Sequence, residues 1–105
     1  MAVRVRLPAS IKKGDLVEVK TLTTHPMESG QRRDAQGAVI PRKILNKFAC
    51  SYNGKDVVRS DWGAAVSSNP YFAFFVKAAE SGTLEMSWTD DDGSVAKHSE
   101  KFTVG

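Results

Sequence analysis

Cysteine and histidine are scarce in this chain: Cys50 is alone, and His25 and His98 are the only imidazoles. One thiol excludes an intrachain disulfide, which fits a reducing compartment. Two histidines and one cysteine also fall short of the roughly four ligands of a typical zinc site. No serine sits in a Gly-x-Ser-x-Gly elbow, and no glycine-rich loop is shaped to cradle phosphate. Long apolar runs are missing too. No stretch approaches the roughly 18 residues of a membrane helix, and Met1–Leu7 lacks a signal-peptide core. On these absences alone the expectation is a cytoplasmic protein with no catalytic, metal or cofactor site.

Positive charge is in small excess, 15 Lys and Arg against 12 Asp and Glu. That is modest for a nucleic-acid binder, and no recognisable binding motif accompanies it. Its distribution is more telling. Residues 31 to 47 hold Arg32, Arg33, Arg42, Lys43 and Lys47 against one acid, Asp34. A local field of that sign attracts anionic ligands or partners.

The 105 residues read as a single domain, large enough to fold without metals or disulfides. Apolar and polar residues alternate with period 2 almost throughout. Val3–Leu7 is the first candidate strand, ended by Pro8. Lys13-Gly14-Asp15 is a turn, and Leu16–Thr24 is rich in Val, Leu and Thr, with Val17 and Val19 on one face. Ile44–Tyr52 alternates again, placing Phe48, Cys50 and Tyr52 inward with Asn46 as a polar interruption. Asn53-Gly54 calls for a two-residue type I′ hairpin turn into Lys55–Ser60. Asp61–Ser67 reads as a short helical turn. Tyr71–Val76 is the most apolar stretch: a central core strand if covered on both faces, a docking patch if one face is bare. Thr83–Thr89 puts Leu84, Met86 and Trp88 inward. After the Asp90-Asp91-Asp92-Gly93 turn, Ser94–Val104 is the last strand. About seven strands with turn signals between them predict an all-β, antiparallel, immunoglobulin-like β-sandwich.

Candidate sites are few. Cys50 lies on an inward face, where a free cysteine acts as a small apolar residue. A thiol-dependent redox protein or enzyme using Cys50 is the alternative function. The Asp90–Gly93 run has no EF-hand frame and reads as a solvated hairpin turn. His25-Pro26, at a strand end, is a partner contact or a local hydrogen-bonding residue. The remaining feature is the long polar segment from His25 to Lys43. Hairpin loops usually take two to five residues. Loops much longer than that in compact domains are usually functional or disordered. Its paired arginines suit carboxylates or oxyanions.

The run His25-Pro26-Met27-Glu28-Ser29-Gly30-Gln31-Arg32-Arg33-Asp34 closely resembles the hallmark segment of the SoxZ family of bacterial sulfur oxidation. Ile40-Pro41-Arg42-Lys43-Ile44, Asn69-Pro70-Tyr71-Phe72-Ala73-Phe74, Ser81-Gly82-Thr83-Leu84 and Asp90-Asp91-Asp92-Gly93-Ser94 extend the likeness in order from about Lys13 to Val104. The resemblance implies a non-catalytic subunit of a SoxYZ sulfur-carrier complex with an immunoglobulin-like fold. Its partner SoxY would carry sulfur intermediates on a C-terminal cysteine. The pair would meet SoxAX, SoxB and SoxCD during thiosulfate oxidation. The resemblance also implies a periplasmic location, reached by co-export with SoxY, in place of the cytoplasm. Whether an isolated chain self-associates through the partner surface is left open by the sequence. His25, Met27, Arg32, Arg33, Arg42, Tyr71, Phe72 and Phe74 are the expected partner-binding residues.

Overall fold

The computed structural model describes residues 2–63 and 65–105. Seven strands occur in the order β1 (Val3–Arg6), β2 (Leu16–Thr23), β3 (Leu45–Tyr52), β4 (Lys55–Asp61), β5 (Tyr71–Lys77), β6 (Gly82–Asp90) and β7 (Val95–Phe102). They form two antiparallel sheets, β1-β2-β5 and β4-β3-β6-β7. The result is the expected immunoglobulin-like sandwich, with β4 beside β3 in the four-stranded sheet. The described residues of the expected helical turn are not helical. No helix occurs among the described residues; Asp61 closes β4, and Val66 N–H donates to Gly63 O at 3.1 Å. Ala64, within that expected turn, and Met1 lie outside the described residues.

The alternation of the sequence decides which face each strand buries. Val17, Val19, Thr21 and Thr23 of β2 face Phe48 and Cys50 of β3 and Leu84, Met86 and Trp88 of β6, all buried. Phe48 is the hub. Its ring lies 5.0 Å from Phe72, 5.1 Å from Trp88, 5.5 Å from Phe74 and 6.1 Å from Trp62, within the range of favourable aromatic pairs. The two buried threonines direct their hydroxyls to the backbone carbonyls of Phe72 in β5 and of Pro70 just before it. Thr21 donates to Phe72 O at 2.6 Å and Thr23 to Pro70 O at 3.4 Å. This satisfies groups that would otherwise be costly to bury.

Two local devices set the registers. Asn53 and Gly54 both have positive φ, 49° and 83°, the signature of the type I′ turn their sequence demands. Asn53 Oδ1 then accepts from Thr83 N–H at 2.9 Å. It occupies the space a Cβ on Gly82 would need, so glycine is required there. In β3 the register shifts between Leu45 and Lys47. The shift buries both Ile44 and Leu45 and turns Asn46 away from the core, which resolves the polar interruption in the sequence pattern.

Candidate partner-binding surface

The long polar segment is an ordered arm. Glu28 and Lys43 exchange backbone bonds of 2.9 Å at its base, and Ile40 N–H donates to Arg32 O at 2.8 Å further out. Its tip is a turn over Asp34–Gly37, with Gly37 at φ 82° and Asp34 Oδ1 accepting from Gln36 and Ala38 N–H. Asp at the first and Gly at the fourth position is the sequence signal for such a turn. Gly30 (φ 85°) lets the two legs approach: a Cβ there would meet Arg42 Cβ at 3.0 Å.

The arm base is held by the acidic turn between β6 and β7. Asp90 is buried and receives His25 Nε2 at 2.7 Å. His25 Nδ1 accepts Met27 N–H at 2.9 Å, so the ring proton sits on Nε2 and points at the carboxylate. Asp91 accepts from Arg42 Nε (2.9 Å), Asn46 Nδ2 (2.9 Å) and the Ile44 N–H (3.2 Å). Its pKa is lowered, first by the Arg42 bond and then by Asn46. Asp92 takes bonds from Ser94, its largest cause of a lowered pKa, and lies 3.5 Å from Lys43 Nζ. Arg32 pairs with Glu28 along the arm, raising its own pKa and lowering that of the glutamate. Arg33 Nη1 donates to Gly37 O at 2.8 Å. The concentration of cations seen in the sequence is therefore largely matched by carboxylates. Two of these, Asp91 and Asp92, come from a turn read as merely solvated.

The second surface is the outer face of β1-β2-β5. Leu22 lies directly opposite Tyr71, Glu18 opposite Phe75 and Leu16 opposite Lys77. Leu16 is 69% exposed, Tyr71 61% and Phe75 57%. Phe74 and Val76, on the inner face, are buried. β5 is thus an edge strand with one bare aromatic face rather than a central core strand.

Of the expected partner-binding residues, Arg32, Arg33, Arg42 and Tyr71 are at the surface and Phe72 is half-buried. His25, Met27 and Phe74 are buried. His25 is spent on Asp90, and Met27 Sδ accepts Leu45 N–H at 3.3 Å. His25, Met27 and Arg42 meet at the arm base, while Tyr71, Phe72 and Phe74 belong to β5. Leu16, Leu22 and Phe75 were missed as surface residues, although the period-2 pattern already places Leu16 and Leu22 on the face of β2 opposite Val17 and Val19.

Cys50 is 1% exposed. Burial pushes its thiol up to about 11, leaving it protonated and weakly nucleophilic at neutral pH. Among the described residues no group of three His, Cys, Asp or Glu side chains is placed to hold a metal ion.

The fold and its two surfaces define an all-β sandwich with a clamped arm and an apolar outer face. The chain belongs to the SoxZ family: the family described as sulphur oxidation protein SoxZ matches residues 4–101. Among curated proteins no sequence matches. Solved structures share the fold at low identity. The sulfur carrier protein SoxY from Chlorobium limicola f thiosulfatophilum matches with a TM-score of 0.67 at 14% identity, covering 100% of this chain and 80% of that one. A superoxide reductase (neelaredoxin) from Ignicoccus hospitalis gives 0.72 at 13%, covering 100% and 81%. A putative superoxide reductase from Thermotoga maritima gives 0.66 at 18%, covering 98% and 85%.

Proposed function

We propose that this chain is the non-catalytic partner subunit of a SoxYZ sulfur-carrier complex. It binds SoxY, whose C-terminal cysteine carries the sulfur intermediates, and helps present that cysteine to SoxAX, SoxB and SoxCD during thiosulfate oxidation. The complex works in the periplasm, which this chain reaches by co-export with SoxY. The observation that carries the reading is the bare apolar face of Leu16, Leu22, Tyr71 and Phe75 on a SoxZ-family sandwich. Such a patch, rimmed by charge, suits a protein interface with an apolar core and polar rim. The buried Cys50 supports a role without covalent sulfur chemistry of its own. The exposed arm tip, Gln31 to Val39, is free to meet client enzymes.

The test is co-purification of the tagged chain with a co-expressed SoxY from the same genome, read by intact mass. The expected result is a stable 1:1 complex with thiol adducts on SoxY alone. No complex, together with an adduct on Cys50, would sink the reading. Replacing Arg32 and Arg33 by Ala tests the arm: unchanged binding and unchanged thiosulfate turnover would remove it from the function.

A further inference from the structure

Three of the four sheet edges carry the features that discourage a further strand, namely brevity, charge, a nearby proline or a bulge. β1 is four residues long, carries Arg4 and Arg6, and is followed by Pro8. β4 carries Lys55, Asp56, Arg59 and Asp61 and pairs with β3 through a register shift. β7 carries Lys97, His98, Glu100 and Lys101. β5 is the least defended, with Pro70 before its first residue as its one such feature besides a terminal charge. It runs for seven residues, and its one charge is the terminal Lys77.

The hydrogen bonds at its two ends show which backbone groups of β5 are free. Ala78 N–H donates to Asp15 O at 2.9 Å, and Thr23 N–H to Pro70 O at 3.2 Å. With the register of β2 on β5, bonded and non-bonded pairs alternate. Phe72, Phe74 and Val76 exchange bonds with β2. Tyr71, Ala73 and Phe75 turn their N–H and C=O toward the open edge, and Lys77 turns its N–H there, its C=O being taken by the Ala79 N–H at 3.0 Å. The same four residues put their side chains on the outer face, so free amides and exposed aromatics coincide.

We propose that the open edge of β5 accepts an extended strand of a second β-sandwich, continuing the β1-β2-β5 sheet across the boundary between the two proteins. Such strand addition takes affinity from the main chain and specificity from alternate side chains. This rests on the partner-subunit reading, and SoxY qualifies because its sandwich has the same fold and so has sheet edges to offer. Charge favours it over a second copy of this chain. Arg4 and Arg6 lie on the outer face beside Leu22 and Lys20, and Lys77 lies opposite Leu16. The only carboxylate there, Glu18, is 3.4 Å from Lys20. A strand with outward-facing Asp or Glu complements this face, whereas a second copy brings the same cations to the seam.

The experiment is amide hydrogen exchange on the chain alone and in complex with co-expressed SoxY, beside the affinity of Ala73→Pro. The proline removes one outward N–H and leaves the β2 ladder intact. The Ala73, Phe75 and Lys77 amides are expected to exchange freely in the isolated chain and to slow by at least about tenfold in the complex. Ala73→Pro is expected to weaken binding by about tenfold or more, as loss of a strand-addition bond demands. Lys97→Pro, the equivalent outward position of β7, is expected to bind normally. Association with these β5 amides still exchanging freely overturns the edge pairing and leaves the partner reading standing. Protection of β5 in the isolated chain, with a homodimer mass, overturns the choice of occupant. No association with SoxY overturns both.

Discussion

Replacing Asp91 by Ala isolates what the acidic turn does for the arm. The change deletes the acceptor of three bonds, from Arg42, Asn46 and the Ile44 N–H. Arg42 is 53% exposed and turns to water once released, so its loss costs about 0.5 kcal/mol. Ile44 is 0% exposed, and its N–H has no such recourse. An unpaired buried donor costs about 1–3 kcal/mol. The sum is about 2–3 kcal/mol. For a chain of this size each kcal/mol lowers the melting temperature by about 4–5 °C, so a drop of about 10 °C is expected. Asp91→Asn keeps an acceptor oxygen and should lose about 1 kcal/mol, the charge-assisted part. Circular dichroism melts give the stability, and amide exchange over residues 29–43 gives the order of the arm. If Asp91→Ala melted within about 2 °C of the parent with arm exchange unchanged, the clamp would not be holding the arm.

Three further outcomes follow from the same contacts. His25→Ala leaves the buried Asp90 carboxylate without its partner and is expected to cost about 3 kcal/mol, read by urea unfolding. Cys50 is expected to react with a thiol reagent slowly in the native protein and rapidly in denaturant, and Cys50→Ala to cost about 1 kcal/mol without changing SoxY binding. Asp91, Asp92 and Glu28 all have folded pKa values below their unfolded ones. Their contribution is therefore fully present above about pH 4–5 and is lost as pH falls through the folded values. The melting-temperature gap between the parent and Asp91→Ala should narrow toward pH 2.

The sandwich was legible because its strands bury one face each, which writes a period of 2 into Val17-Glu18-Val19 and Leu84-Glu85-Met86. Asn53-Gly54 named its own turn for the same kind of local reason. β5 was ambiguous because Tyr71-Phe72-Ala73-Phe74-Phe75-Val76 is apolar on both faces, and only strand order shows that one face is bare. The pairing of the arm's cations was not legible for a different reason. Arg42 and Asp91 are 49 residues apart, so a count of charge along residues 31 to 47 could not see the acids that meet those cations. His25 is the same case: its partner Asp90 lies 65 residues away.

The clamp also bears on the order in which the chain folds. The β3–β4 and β6–β7 hairpins close over short turns, events that take microseconds. Seating Arg42 on Asp91 requires the Asp90–Gly93 turn to exist first and a long segment to be closed over it, which local contacts do not repay. The arm therefore docks late, after the rate-limiting barrier. In a chevron plot, Asp91→Ala should steepen nothing and leave the refolding limb in place, while raising the unfolding limb by nearly the whole of its lost stability. The arm would then govern how long the native state survives rather than how fast it is reached.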